Sequence, residues 1–180
     1  MSATLTLTES QTFTALRAFL LGVLPAGVEV IRGQDNRVPE PKGADFVLMT
    51  PTLRERLETN ITSVLDPYPA LGGARADRQA TRVTVQLDVH GPNSADNVQI
   101  VSTLFRSDYA TTQFATSGFD VTPLYTSEPH QMPFVNGEQQ VEMRWTVDVV
   151  MQANPSVTTP QDFAGKLGIG IINVDVVYPP

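Results

Sequence analysis

The sequence predicts an α+β fold, a mixed and largely antiparallel sheet flanked by two main helices. Three observations carry that expectation. In Val141–Met151, the residues Val141, Met143, Trp145, Val147, Val149 and Met151 alternate with Glu142, Arg144, Thr146 and Asp148, and only Val150 breaks the pattern. Side chains on a strand point alternately to opposite faces, so this stretch reads as a long strand with one dry face and one wet one. Thr81–His90 repeats the pattern, with Val83, Val85, Leu87 and Val89 on the dry side. Two such strands, side by side, bury one shared face. The third observation is a pair of stretches with helical spacing, Glu9–Leu24 and Ser94–Arg106, suited to covering it.

The first helix opens with Thr8-Glu-Ser-Gln11, which has the form of a capping box. Phe13, Leu16, Leu20, Val23 and Leu24 then recur on one face, until Pro25-Ala-Gly27 stops the run. Val28–Ile31 reads as a short strand. Arg32–Gly43 is polar and rich in turn residues, and Pro39 and Pro41 hold its second half extended, so it reads as a loop or arm. Asp45–Leu65 mixes signals. Leu53, Leu57 and Ile61 lie four apart, but Pro51 interrupts and the threonines favour strand. It is expected to be mostly strand, with a break or turn near Pro51.

Asp66–Arg78 holds two prolines and two glycines and reads as a loop before the Thr81–His90 strand. Gly91-Pro92-Asn93 is a turn, and Asn93 is placed to cap the second helix. A short helical turn is expected around Tyr109–Ala115, and short strands at Phe119–Tyr125 and Gln131–Val135. Asn136-Gly137 is a strong turn signal leading into Val141–Met151. Beyond it, Asn154-Pro155 and Pro160 suggest a loop, Gln161–Lys166 a helical turn, and Gly168–Tyr178 a closing strand. Its apolar residues are nearly continuous, as expected of a strand covered on both faces.

At 180 residues, 41% of them hydrophobic, the chain is expected to be a single soluble domain with a real core. Met1–Thr8 lacks the basic flank and apolar run of a signal peptide. Ala18–Pro25 is the longest apolar patch and is far too short to span a bilayer, so no membrane is expected. There is no cysteine, which excludes disulfides and thiolate metal sites. A net charge of −7 argues against a sequence-independent grip on nucleic acid, because such a grip needs clustered Lys and Arg.

The residues do not assemble into a catalytic set. His90 follows Asp88 by two and shares its face, the one expected to be wet. A metal site there needs a third ligand, such as Asp148 from the facing strand, so a solvated strand end is the simpler reading. His130 lies in a loop with no nucleophile motif beside it. Gly165-Lys-Leu-Gly168-Ile-Gly170 has the wrong order for a phosphate loop, in which the lysine follows the last glycine. Glu55/Glu58 and Glu138/Glu142 show no sign of the burial that would raise one pKa of a pair. No enzyme and no cofactor are expected.

Several segments, taken together and in order, resemble a known family. They are Gly33-Gln-Asp-Asn36 with Pro39-Glu-Pro-Lys-Gly43, Met49-Thr-Pro51, Arg56-Leu-Glu-Thr-Asn60, and Gln86-Leu-Asp-Val-His-Gly-Pro92 leading to Leu104-Phe-Arg-Ser-Asp-Tyr109. The series continues with Pro123-Leu-Tyr125, Asn136-Gly-Glu-Gln-Gln140, Arg144-Trp145, Gln152-Ala-Asn-Pro155, Pro160-Gln-Asp-Phe163, Asn173-Val-Asp175 and Pro179-Pro180. From about residue 30 to the C-terminus this series resembles the neck or tail-terminator proteins of tailed bacteriophages. The resemblance implies a homo-oligomer, a hexameric ring in the virion neck, assembled in the host cytoplasm. Such a ring caps the tail tube protein's tube and joins it to the head-tail connector or adaptor proteins, and DNA passes through its lumen without specific binding. The family supplies no catalytic residues to carry over.

Within that picture, pattern alone suggests the surfaces. The arm offers Arg32, Gln34, Asp35, Asn36, Arg37, Glu40 and Lys42 as subunit-interface candidates, and the following loop offers Asp66, Tyr68, Arg75 and Arg78. Asp88, Glu142 and Asp148 on the wet strand faces are the lumen-facing candidates, offset in part by Arg82 and Arg144. The alternatives are a tail-tube or head-completion subunit and, from a different class, a module that binds a host molecule through its loops.

Overall fold

The computed structural model describes residues 2–34, 41–66, 72–135, 137, 139–163 and 170. The fold is α+β, as the alternations require. In chain order the elements are β1 (Thr4–Leu5), α1 (Glu9–Val23), β2 (Glu29–Arg32), β3 (Phe46–Arg56), β4 (Ile61–Leu65), β5 (Ala74–Arg78) and β6 (Thr81–His90). They continue with α2 (Ser94–Phe105), α3 (Asp108–Thr116), β7 (Val121–Thr126), β8 (His130–Gln131), β9 (Phe134–Val135), β10 (Val141–Glu142), β11 (Arg144–Ala153) and β12 (Ser156–Pro160).

The two alternating strands found in the sequence lie at the centre. β6 and β11 pair antiparallel over their full length, from Arg144 opposite His90 to Ala153 opposite Thr81. The larger sheet runs β2-β3-β6-β11-β7, with β8 beside β11 as well. Only β2 and β3 run parallel in it. Val83, Val85, Leu87 and Val89 of β6 and Val147, Val149 and Met151 of β11 are all buried, and they belong to the same core as the helices. Phe19 of α1, Phe105 of α2 and Phe114 of α3 meet there, with ring centroids 5.5 to 5.9 Å apart. The Phe105 ring meets the other two edge-on, and such contacts add about 0.5–1.5 kcal/mol per pair beyond the area they bury.

α1 starts where its capping box places it. The Thr8 hydroxyl accepts from the Gln11 amide at 3.3 Å, and the Gln11 side chain accepts from the Thr8 amide at 2.7 Å. α2 starts at the expected residue by different means. The Asn93 side chain makes no cap bond; it donates to the Asp45 carboxylate at 2.8 Å, and the Asn93 amide donates to the same group at 3.0 Å. The turn is thereby pinned to the start of β3. The expected short turn near Tyr109 is a full helix, α3, which presents Ala110 and Phe114 one turn apart to the core.

Five expectations need correction. The break at Pro51 is a bulge inside β3, where the register against β6 shifts between Pro51 and Leu53, and the chain turns only after Arg56. Pro51 has no amide proton to give to a ladder, so a bulge accommodates it without ending the strand. The loop expected over Asp66–Arg78 is a strand, β5, in its last five residues. The loop expected from Asn154 to Pro160 is mostly β12, which pairs with β5 from Ser156 to Pro160. The Val141–Met151 strand is interrupted at Met143, dividing into β10 and β11. Gln161–Phe163 are not helical; the rest of that expected turn and the closing strand Gly168–Tyr178, apart from Gly170, lie outside the described residues.

The smaller sheet, β1-β12-β5-β4, continues the larger one. β3 leads into β4, β5 into β6, and β11 into β12, so three antiparallel strands run from the core into the smaller sheet as one long ribbon. Its bend lies at residues 57–60, 79–80 and 154–155, where the Leu57 amide donates to the Ala80 carbonyl and the Gln79 amide to the Pro155 carbonyl.

Candidate assembly surfaces

The inner half of the ribbon is covered by helices and the outer half is not. Every residue from Thr52 to Asp66 is exposed, which includes all of β4. Leu53, Leu57, Ile61, Val64 and Leu65 are among them, between 46% and 65% exposed. On one face of this outer half, Asp77 accepts from the Thr62 hydroxyl at 2.5 Å and from Arg75 at 3.0 Å. Those two contacts, the hydroxyl first, hold the Asp77 carboxyl below its usual range. A groove of about 410 Å³ follows the bend, lined in part by Leu5, Arg54, Asn60 and Val157. At the tip, the Gln161 amide donates to the Gly73 carbonyl at 2.9 Å. Gly73 is buried, and a Cβ there would land on the Phe163 ring, so only glycine fits.

The interface candidates fall unevenly on this frame. Arg32, at the end of β2, is ion-paired with Glu9 of α1, and its guanidinium lies 4.6 Å from the centre of the Phe13 ring. It ties helix to sheet. Gln34 is exposed, in a left-handed conformation (φ 63°), where the arm leaves β2. Lys42 is exposed where the arm returns, and the Lys42 and Gly43 amides both donate to the Glu29 carboxylate, at 2.7 and 2.9 Å. The two feet of the arm are therefore fixed. Asp35, Asn36, Arg37 and Glu40 between them, and Tyr68, lie outside the described residues. Asp66 is exposed beyond β4. Arg75 and Arg78 sit on β5, Arg78 with its guanidinium 3.8 Å from Asp120.

The face of β6 and β11 expected to be wet is a polar surface with a buried centre. Asp88 is 5% exposed and His90 7%, so the solvated strand end is not what forms. Asp88 accepts from Arg144 at 2.7 and 3.0 Å, from Thr146 at 2.8 Å and from Gln86 at 3.0 Å. The His90 ring stacks on Phe46, 4.5 Å apart and 8° from parallel. Burial first, and then the Arg144 guanidinium, push the His90 imidazole below its usual range, against the pull of Asp88 and Glu142. Glu55 and Arg82 pair on the same face, and Glu55 raises the Arg82 guanidinium. Asp148 is half-buried opposite Gln86, and Glu142 half-buried on β10. The acidic groups and arginines of this face are thus largely matched within the chain.

A third surface lies at the other end of the larger sheet. β9 and β10 form a small hairpin that brings Val135 opposite Val141, and Met132, Val135, Val141 and Met143 are all exposed. A groove of about 420 Å³ beside it is lined by Phe46, Gly91, Pro92 and Met143 among others. Among the described residues there is no group of three or more acidic, His or Cys side chains able to hold a metal ion. No helix among them is long and apolar enough to cross a membrane.

Comparison with known families places the chain that carries these surfaces. The profile of the phage neck terminator proteins matches residues 10–175. The chain belongs to that family. No curated protein matches it. Membership covers nearly the whole chain, including the arm, the ribbon and the hairpin. As a phage neck terminator protein it is a structural component of the virion neck, and it assembles with other head and tail proteins. The exposed leucine, isoleucine and valine side chains of the ribbon belong to such a component.

Proposed function

We propose that this neck terminator protein forms a closed ring that caps the tail tube and joins it to the head-side connector. The observation that carries the reading is the outer half of the ribbon. Its strands are held by ladder hydrogen bonds and a few exposed ion pairs, with Ile61, Val64, Leu65 and Leu57 exposed. Exposed apolar side chains gathered along one strand in this way support a contact with another chain. The ribbon is continuous with the core, and that continuity sets the angle at which it bears on a neighbour. A head-to-tail contact closes into a ring only when that angle is fixed.

The arm from Arg32 to Gly43 supplies a second contact, to a neighbouring subunit or to the adjoining ring. The support for it is the anchoring of both feet to β2 and β3. The lumen lining we assign to this ring rests on Glu142 and Asp148. Asp88 is excluded from it, because it is buried against Arg144. DNA then meets a surface whose charges are mostly paired and which offers no cluster of cations.

Negative-stain imaging of the purified chain tests the reading directly, with rings of a single height as the expected result. Monomers at high concentration would overturn it. Tubes would favour a tail-tube subunit instead. Deleting residues 34–42 is expected to abolish joining while thermal unfolding of the subunit is retained; unchanged assembly would remove the arm from the scheme.

A further inference from the structure

Where the arm returns to the body, three segments enclose a cleft of about 290 Å³. They are the turn from α1 to β2 (residues 25–28), the chain entering β3 (residues 43–45) and the first turn of α2, through Asn93 and Asn97. Much of the wall is small: Ala26, Gly27, Gly43 and Ala44 come together without filling the space.

Asn93 and Asn97 lie one turn apart on the same face of α2. Their side chains are treated differently. Asn93 is already engaged, since its backbone and side-chain N–H groups donate to the Asp45 carboxylate at 3.0 and 2.8 Å. Asn97 is 1% exposed, and its side-chain nitrogen has no hydrogen-bond partner among the described residues. A buried carboxamide left unpaired costs stability, and a leucine of similar size would not.

The other groups of the cleft decide what can take up that unused donor. The Asn93 side chain makes no cap bond, so the positive end of α2 is left unblocked by it. That end and the Asn97 N–H groups disfavour a cation. Asp45 disfavours an anion, as does a net charge of −7. Each Asp45 oxygen accepts one bond from Asn93 and keeps the capacity to accept another. A free donor beside a free acceptor matches a neutral group that both accepts and donates.

We propose that this cleft binds a neutral amide group, of the kind carried by an asparagine or glutamine side chain or by a main-chain peptide. The amide carbonyl accepts from the Asn97 side chain, and the amide N–H donates to Asp45. The site is separate from the ribbon and does not depend on the ring reading.

Four small probes test it on the full chain labelled with ¹⁵N. Propionamide stands for the side-chain carboxamide and N-methylacetamide for the main-chain peptide, with acetate and methylammonium as charged controls. The NMR signals of the Asn97 side chain and the Gly43 amide are followed during each titration. Saturable shifts with an amide, and none with either ion, are the expected result; the tighter amide identifies the source. Saturable shifts with an ion would make this a charge site and overturn the proposal. If no probe moves those signals, the cleft holds an ordered water only and the proposal falls.

Asn97→Leu is expected to keep the fold, with a urea midpoint at or above the native one, and to bind the amide roughly tenfold more weakly. A lowered midpoint would mean that Asn97 is already paired in the folded chain, which overturns the proposal. Gly43→Ala is a second variant that keeps the fold. Its added methyl comes no closer than 3.5 Å to the Gly27 and Asp45 carbonyl oxygens, yet it narrows the space between them. It is expected to reduce the Asn97 shift; unchanged binding would put the amide elsewhere and overturn the assignment.

Discussion

The inner and outer halves of the ribbon share strands but not the forces that order them. Between Val83 and Val89 every second β6 side chain is buried under the helices, whereas all five residues of β4 are exposed. The inner half is held by apolar burial, worth about 25 cal/mol for each Å² removed from water. The outer half has ladder hydrogen bonds and a few exposed ion pairs, which contribute little net stability in solvent. The inner half therefore sets the stability of the subunit, and the outer half is free to be shaped by contacts with other chains.

The largest effect expected from breaking this contrast lies in the core. Phe105→Ala removes the ring that touches both Phe19 and Phe114, and should cost about 3–5 kcal/mol in urea unfolding. A loss comparable to that of a surface change would mean that the three helices do not form one core. Next comes the buried pair on the polar face. Arg144→Met leaves Asp88 buried with only Thr146 and Gln86 as donors, at a cost of about 1–3 kcal/mol. Adding Asp88→Asn should recover part of that loss. No recovery would indicate that Arg144 acts through packing alone.

A smaller effect is expected from pH. The folded state holds His90 below its ordinary value, so the unfolded chain takes up a proton that the folded chain refuses. Stability should be full above about 6.5 and should fall as pH drops from there toward the lowered folded value. His90→Gln should flatten the profile in that window; an unchanged slope would assign it to other groups. The smallest effect on the subunit belongs to the ribbon. Ile61→Ser with Leu65→Ser should change its unfolding free energy by no more than about 0.5 kcal/mol per site, yet weaken assembly, as read by sedimentation. A large stability loss there would erase the distinction between the two halves.

The same contrast explains what could be read from the sequence. Hydrophobic periodicity reports burial, so β6 and α1 were legible almost to the residue and β11 in its buried stretch, though not in its start at Arg144. β5 and β12 looked like loops because prolines and glycines surround them and Ala-Arg-Ala-Asp-Arg and Ser-Val-Thr-Thr-Pro carry no large apolar alternation, which half-exposed strands do not need. α3 was underestimated because only Ala110 and Phe114 face inward. Alternation reports polarity, not exposure, and so placed Asp88 and His90 in water. Their burial depends on Arg144 and Phe46 reaching them from neighbouring strands, and that register is set by tertiary pairing. Of the interface candidates, Arg32 turned out to brace α1 and Arg75 to bind Asp77, roles invisible without neighbours in space.

The passage of three strands from core to tip, across one bend, has a mechanical consequence. A pull on the tip along the strands loads many cross-strand hydrogen bonds at once, in shear, so none can be unzipped singly. Tension applied where the subunit is gripped by its surroundings is then delivered into the phenylalanine-packed interior.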